Sequence, residues 1–446
     1  MTEQQYIDLF KEYRQEIDQH SVRGLNKERD AAFSAFLQTG FPTTANEDFK
    51  HSDIAQLFEA DFGLNIRNVP LRLDPFDIFR CAVPNLSTHL YFLINDRFYA
   101  KTERDLSLPD GVFAGSLQVF SEKYPDVFNR FYAKIADYSG NGTVAFNTLF
   151  AQDGFAVYIP RNTELEKPLQ LISILRGKVD MNINRRILVI AEDNAKVKLL
   201  ACDHTVDDVK FLTTQVIEVY AGMNAQVDFY EMEENSEKVS RISAFFSAQE
   251  EHSSVVTAGI TLHNGYTRND YRFRILGQHA EAHVGGLAIC DKEQHIDNFA
   301  FLDHAVPDCS SNELFKYVLQ EKSTGVFCGK ILVEKDAQKT QAYQNNRNLC
   351  VSEDARMYSK PQLEIYADDV KCSHGLTTGQ LDEEALFYMR ARGIDKDEAR
   401  LLLMVAFAQD VVDMIRIESL RERLEILINK RFRGELTRCG NCDVCK

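Results

Sequence analysis

Between about Thr143 and His374 the chain is built of short β-rich runs with little helix, and one small pattern recurs inside them. The copies are Asn194-Ala195-Lys196-Val197-Lys198-Leu199, Asn224-Ala225-Gln226-Val227-Asp228-Phe229 and His279-Ala280-Glu281-Ala282-His283-Val284. The first two lie 30 positions apart and the second and third 55, roughly two further periods. Self-similarity at a few tens of residues marks a solenoid, in which each repeat stacks its strands on the last and buries an aliphatic interior. The runs 169–174, 186–190 and 214–219 fit the same reading, separated by polar, turn-forming pieces. On pattern alone a β-sandwich accounts for these runs nearly as well.

The two ends differ from this middle. From about Glu3 to Leu64 apolar residues fall at helical spacing, first Tyr6, Ile7, Phe10, Tyr13 and Ile17, then Ala32, Phe33, Phe36 and Leu37 before Gly40 and Pro42. From about Val69 to Asp137 strands and helices alternate, with a strand at Leu90–Asn95 and a helix at Ser116–Lys123. After Gly379 the pattern is helical: Asp382 to Arg392 ending at Gly393, a second helix capped by Asp395 with Glu398 at the capping-box position, and a third from Leu420 to Phe432. The second helix is more apolar than a solvated helix needs, through Ala399, Leu401, Leu402, Leu403, Val405, Ala406 and Phe407. The division expected is 1–140 helical and mixed α/β, 141–376 β, 377–438 helical, and 439–446 a cysteine-rich tail.

A length of 446 residues exceeds one small core and suits two to three domains or an elongated repeat array. A formal charge of −16 argues against nucleic acid or an anionic membrane surface as partner. No window approaches the eighteen or so uninterrupted apolar residues of a membrane span, which excludes a permease of that kind. Met1-Thr2-Glu3-Gln4-Gln5 runs straight into charged helix without a signal segment, and the 10 cysteines read as reduced thiols, so a cytoplasmic location is expected.

Chemistry concentrates at Val370-Lys371-Cys372-Ser373-His374-Gly375. On a strand, Cys372 and His374 point to one face and offer a thiol and an imidazole together. Two ligands cannot close a tetrahedral site, so a metal or cluster here needs donors from another strand or chain. A buried thiol beside a hydrogen-bonded strand-end histidine fits the residue types too. His279, Glu281 and His283 alternate with alanine and could present two imidazoles and a carboxylate on one face, or simply a polar, solvated strand edge. Cys439, Cys442 and Cys445, at two-residue spacers, could wrap a metal ion or cluster given a fourth donor, or form an incidental loose terminus. Cys328 and Cys350, flanked by apolar residues, read as core. The segment Gly325-Val326-Phe327-Cys328-Gly329-Lys330-Ile331 is one residue short of a phosphate loop and has Ile where the magnesium-binding hydroxyl belongs, so no ATP site is expected.

From Leu363 to Ala406 the text LEIYADDVKCSHGLTTGQLDEEALFYMRARGIDKDEARLLLMVAFA resembles the carboxy-terminal signature of the SufB/SufD family of iron–sulfur cluster assembly proteins, on the SufD side. Val326–Lys330, Thr340–Leu349, and Phe41-Pro42 followed by Asn46–Asp53 are similar to other parts of the family, so the likeness spans most of the chain. The cysteine tail departs from the family pattern. The resemblance implies a mainly β protein, a right-handed parallel β-helix core with an N-terminal α/β region and a C-terminal α-helical domain. It implies a non-enzymatic scaffold that pairs with SufB at the end of the core and docks the SufC ATPase. Cys372 and His374 would then stand at the junction, supporting a transient iron–sulfur cluster shared with the partner. Leu386, Phe387, Met389, Leu402, Leu403 and Phe407 are the docking candidates for SufC. Flavin in the complex and a homodimer of the isolated chain are compatible with the resemblance, and His304 resembles a histidine of the family core. The rival reading is a β-helical polysaccharide lyase or hydrolase, which would need a carboxylate cluster or calcium site along a groove. The acidic balance, the absent export signal and the reduced thiols speak against it.

Overall fold

The turn residues explain the repeat. A computed structural model describes residues 2–69, 74–75, 87–100 and 108–435. In it Asn194 and Asn224 both adopt φ 57° and His279 φ 60°, the left-handed conformation that asparagine tolerates better than most residues. The alanine after each is fully buried and immediately precedes a strand. His252, also at φ 57°, is the intermediate copy that the sequence hides, its alanine replaced by Ser253. The registers Gln226 to Ser254 and Ser254 to Glu281 accordingly split the 55-residue interval into two coils.

Among the described residues there are two ten-stranded sheets; from Phe155 to Gly379 the strands alternate between them, so sequence neighbours lie in opposite sheets while each strand pairs in parallel with the next but one. One sheet runs from Phe155–Ile159 through Met181–Ala191, Phe211–Ala221, Val239–Gln249, Tyr266–Ile275, His295–His304 and Thr324–Val333 to Arg356–Ile365. The other runs from His89–Ile94 through Leu169–Leu175, Lys196–Thr205, Gln226–Glu234, Ser254–His263, Glu281–Cys290, Ser310–Leu319 and Gln341–Cys350 to Lys371–Gly379. This is a parallel β-solenoid of about eight turns; a sandwich of consecutive hairpins would pair neighbours antiparallel.

The interior is only half aliphatic. Val197, Leu199, Val227, Phe229, Ala282 and Val284 fill one side of the bore. The other side is polar: Asp203 bridges Arg185 at 2.7 Å and Arg241 at 2.9 Å, and Arg241 also reaches Asn269 at 2.6 Å. Asn269 bonds Asn298 at 2.9 Å, and Asn298 bonds the Tyr317 hydroxyl at 2.6 Å. Charges survive there because each is paired and hydrogen-bonded.

Helices cover both outer faces. Thr2–Gln19, Arg29–Thr39 and Gly142–Phe150 pack through Tyr6, Phe10, Phe36 and Phe146 onto Leu212 and Ile242 of the first sheet. The buried Arg29 caps the last of these helices, donating to the carbonyls of Thr148, Leu149 and Ala151. On the second sheet, Lys396–Val412 and Glu418–Phe432 bury Val411, Val412, Leu420, Leu424 and Leu427 against Leu200, Tyr230, Ile260 and Leu287. Lys316 fixes this contact, its ammonium bound to Asp410 and, at 2.7 Å, to the carbonyl of Phe407. The apolar stripe thus lies along the flank of the solenoid, not over its end. Asp395 caps its helix through the amide of Asp397, whereas Glu398 does not close a capping box but pairs with Arg433 at 2.8 Å. Among the described residues no helix is long and apolar enough to cross a membrane.

Candidate functional site at the solenoid end

The last strand of the second sheet, Lys371–Gly379, has one neighbour and, among the described residues, no further coil. Its register sets Cys372 on Ala342 and His374 on Gln344. Ala342 and Gln344 are buried on the inward face, so Cys372 and His374 continue two interior columns up to the open end. Cys372 is half-buried and His374 exposed. Burial pushes the Cys372 thiol above its ordinary value, against a backbone hydrogen bond with Ala342 that pulls it down. Cys372 is therefore a thiol at neutral pH and must release a proton to bind iron. Among the described residues no three His, Cys, Asp or Glu side chains group so as to hold a metal ion. The pair offers two donors of a set, one sulfur and one nitrogen, which suits part of an iron–sulfur ligand shell.

Around this end stands an apolar and aromatic rim that the sequence reading did not single out. Tyr343, Tyr358, Ile365, Tyr366 and Leu376 are all exposed, Tyr366 at 62% and Leu376 at 43%. Their signal is weak in sequence, because on interior coils the same residue types are core. The columns under the pair were missed too. Gln344 and Asn346 look like surface polar residues but are buried. The register Gln344 to Glu313 continues the column downward.

The remaining candidates separate. His279 lies in the turn before strand Glu281–Cys290, stacked on His252 at 4.7 Å, so the trio does not share a strand face. Glu281 and His283 do alternate outward from the buried Ala280 and Ala282, with 3.8 Å between His283 Nε2 and a Glu281 carboxylate oxygen. His304 is buried in the interior, Nε2 at 2.8 Å from the Ser311 hydroxyl, and burial pushes its pKa down to about 4. Cys328 is buried under the amino-terminal segment, facing a cavity of about 380 Å³ lined also by Asp48, His51, Tyr358 and Lys360, its thiol pushed up to about 11. Cys350 is half-buried against the core. Residues 325–331 lie within strand Thr324–Val333, where a Cβ on Gly329 would meet Gln344 Nε2 at 2.2 Å; the glycine makes room for that side chain. Cys439, Cys442 and Cys445 fall outside the described residues.

On the carboxy-terminal helices, Leu386, Leu403 and Phe407 pack against Val318, Leu381 and Met404. Phe387 is 76% exposed and Leu402 39%, while Met389 is half-buried. Tyr388, also exposed, was not among the sequence candidates. Its signal is the run Leu386-Phe387-Tyr388-Met389, which no single helix face can bury.

Comparison with known proteins gives two family matches. Residues 174–407 match the family described as SUF system FeS cluster assembly, SufBD core domain, and residues 1–171 match the SufBD protein N-terminal region. An iron–sulfur cluster assembly SufBD family protein of Synechocystis is 28% identical over 417 residues, covering 91% of each chain. The iron–sulfur cluster assembly protein SufD of Escherichia coli is 26% identical over 402 residues, covering 89% of this chain and 91% of its own. The protein of the same name from Bacillus subtilis is 24% identical over 327 residues, covering 72% and 74%.

Proposed function

The chain belongs to the SufBD family, scaffold components of SUF iron–sulfur cluster assembly, and from that premise we propose that it acts as the SufD-type subunit, joined to SufB through the open solenoid end. Cys372 and His374 lend a thiolate and a neutral imidazole to the nascent cluster, which is cargo built across the junction. The exposed Phe387 and Leu402, with Met389, are the contacts for the SufC ATPase. The observation that carries this reading is the pair of interior columns ending in a thiol and an imidazole where no further coil covers them. Two strand edges unpaired among the described residues, with the rim of Tyr343, Tyr358, Ile365, Tyr366 and Leu376, support an end-on partner, since such edges pair readily when another strand is presented.

Ligation requires both side chains to be deprotonated, so cluster capture weakens as pH falls. The test is anaerobic reconstitution of the complex with Cys372→Ala and His374→Ala, reading cluster yield by absorbance and iron content. The expected result is a loss of about tenfold in at least one variant, in the range seen when metal-supporting residues are removed. Undiminished yield in both would remove the assignment.

A further inference from the structure

Two rungs beneath the end strand the interior holds a carboxyl with no basic partner. Glu313, on strand Ser310–Leu319, is fully buried. The register runs Glu313 to Gln344 to His374, beside Ser311 to Ala342 to Cys372. Glu313 Oε2 accepts a hydrogen bond from Gln344 Nε2 at 3.0 Å. Glu313 Oε1 and Gln344 Oε1, both buried, have no partner. An ionised Glu313 would set an unanswered charged oxygen near the amide carbonyl. A protonated one carries a donor hydrogen in place of that charge, beside an amide whose carbonyl oxygen lacks a donor.

The neighbouring elements supply no counter-charge. The strand below contributes Val284 as register partner and the strand above Gln344. Across the bore, Gly329 lies against Gln344, and His304 meets the Ser311 hydroxyl. Of these only His304 titrates, and burial keeps it neutral. No ion pair to Glu313 occurs among the described residues, and burial pushes its pKa up to about 8.

We propose that Glu313 is a charge-compensating residue for the solenoid end: a neutral acid while the Cys372–His374 end is empty, and a carboxylate once a divalent cation is held there. One O–H bond breaks, the proton goes to bulk water, and no electron moves. This rests on the reading of Cys372 and His374 as ligands. Two inter-strand spacings place a cation roughly 10 Å away. At an effective dielectric near 20 a divalent charge at that range shifts a carboxyl by roughly two pKa units. That carries Glu313 from above neutrality to below it.

The test uses the full chain, Zn²⁺ as probe, and the isosteric Glu313→Gln variant. Infrared difference spectra of the metal-free chain should show a protonated carboxyl band at pH 7 that the variant lacks and that disappears around pH 8. Calorimetry in buffers of different ionisation enthalpy, with the Cys372→Ala/His374→Ala chain subtracted as background, should show close to one additional proton released per Zn²⁺ in the unaltered chain. Glu313→Gln should bind Zn²⁺ about tenfold more weakly at pH 7 and equally well below pH 6. A missing carboxyl band overturns the proposal whatever the cation does. A band that is present, with equal proton counts in the two chains, overturns the coupling. Zn²⁺ binding indifferent to loss of Cys372 and His374 overturns the coupling, while the end-site reading stands or falls separately on cluster yield in the reconstituted complex.

Discussion

Glu313 and His304 are both buried, and burial shifts their pKa values in opposite directions. Glu313 has its folded pKa raised from 4.5 to about 8, so its contribution is fully present below about pH 4.5 and is lost as pH rises through about 8. Replacing it by glutamine should leave stability unchanged in acid and raise it by up to roughly 4 kcal/mol at pH 9, the size set by the pKa difference. Urea midpoints of both chains at pH 5 and pH 9 measure this, and identical midpoints at both values would mean that the carboxyl is not held neutral. His304 has its folded pKa lowered from 6.5 to about 4 by burial, so its contribution is present above about pH 6.5 and is lost as pH falls through 4. The identity of such residues is plain in the sequence, yet their isolation is not. Glu313 and Gln344 are 31 positions apart and meet only because one coil intervenes.

At the scale of an element, the coil depends on a single backbone conformation. Asn224 holds φ 57° and donates from Nδ2 to Asn194 Oδ1 at 3.0 Å, one step of a ladder that continues to Asn162. Asn224→Val should cost about 1–2 kcal/mol or more, because a β-branched residue resists the left-handed region. Asn224→Gly should cost much less, since glycine adopts that conformation freely. Thermal unfolding of the two variants side by side decides it, and equal losses would place the cost in the side-chain ladder rather than in the backbone. These turns were legible because their chemistry is local: an asparagine, a buried alanine, then alternation. The copy at His252-Ser253 was not, since a histidine can occupy the same conformation without announcing it. The capping box failed for a comparable reason, Glu398 being drawn to an arginine 35 positions away.

Over the molecule as a whole, both flanks of the solenoid are covered by the chain's own helices and, among the described residues, the end is not. Substituting Tyr366→Asp together with Leu376→Glu on this rim should reduce the proposed association with SufB by at least tenfold, as central interface residues do, while leaving the unfolding midpoint within a degree or two. Co-purification and size-exclusion chromatography read the first effect and calorimetry the second; retained association at unchanged stability would move the partner surface elsewhere. The amino-acid sequence by itself determined the repeat, its approximate period, the helical ends and the thiol–imidazole pair, because side-chain alternation and turn preference act between residues close along the chain. Only the tertiary structure decided which apolar stripes are already buried, that half the bore is polar, and that a carboxyl without a counter-charge lies beneath the pair. Those facts depend on what stacks above and below each residue, and a register of about thirty positions carries no local signature.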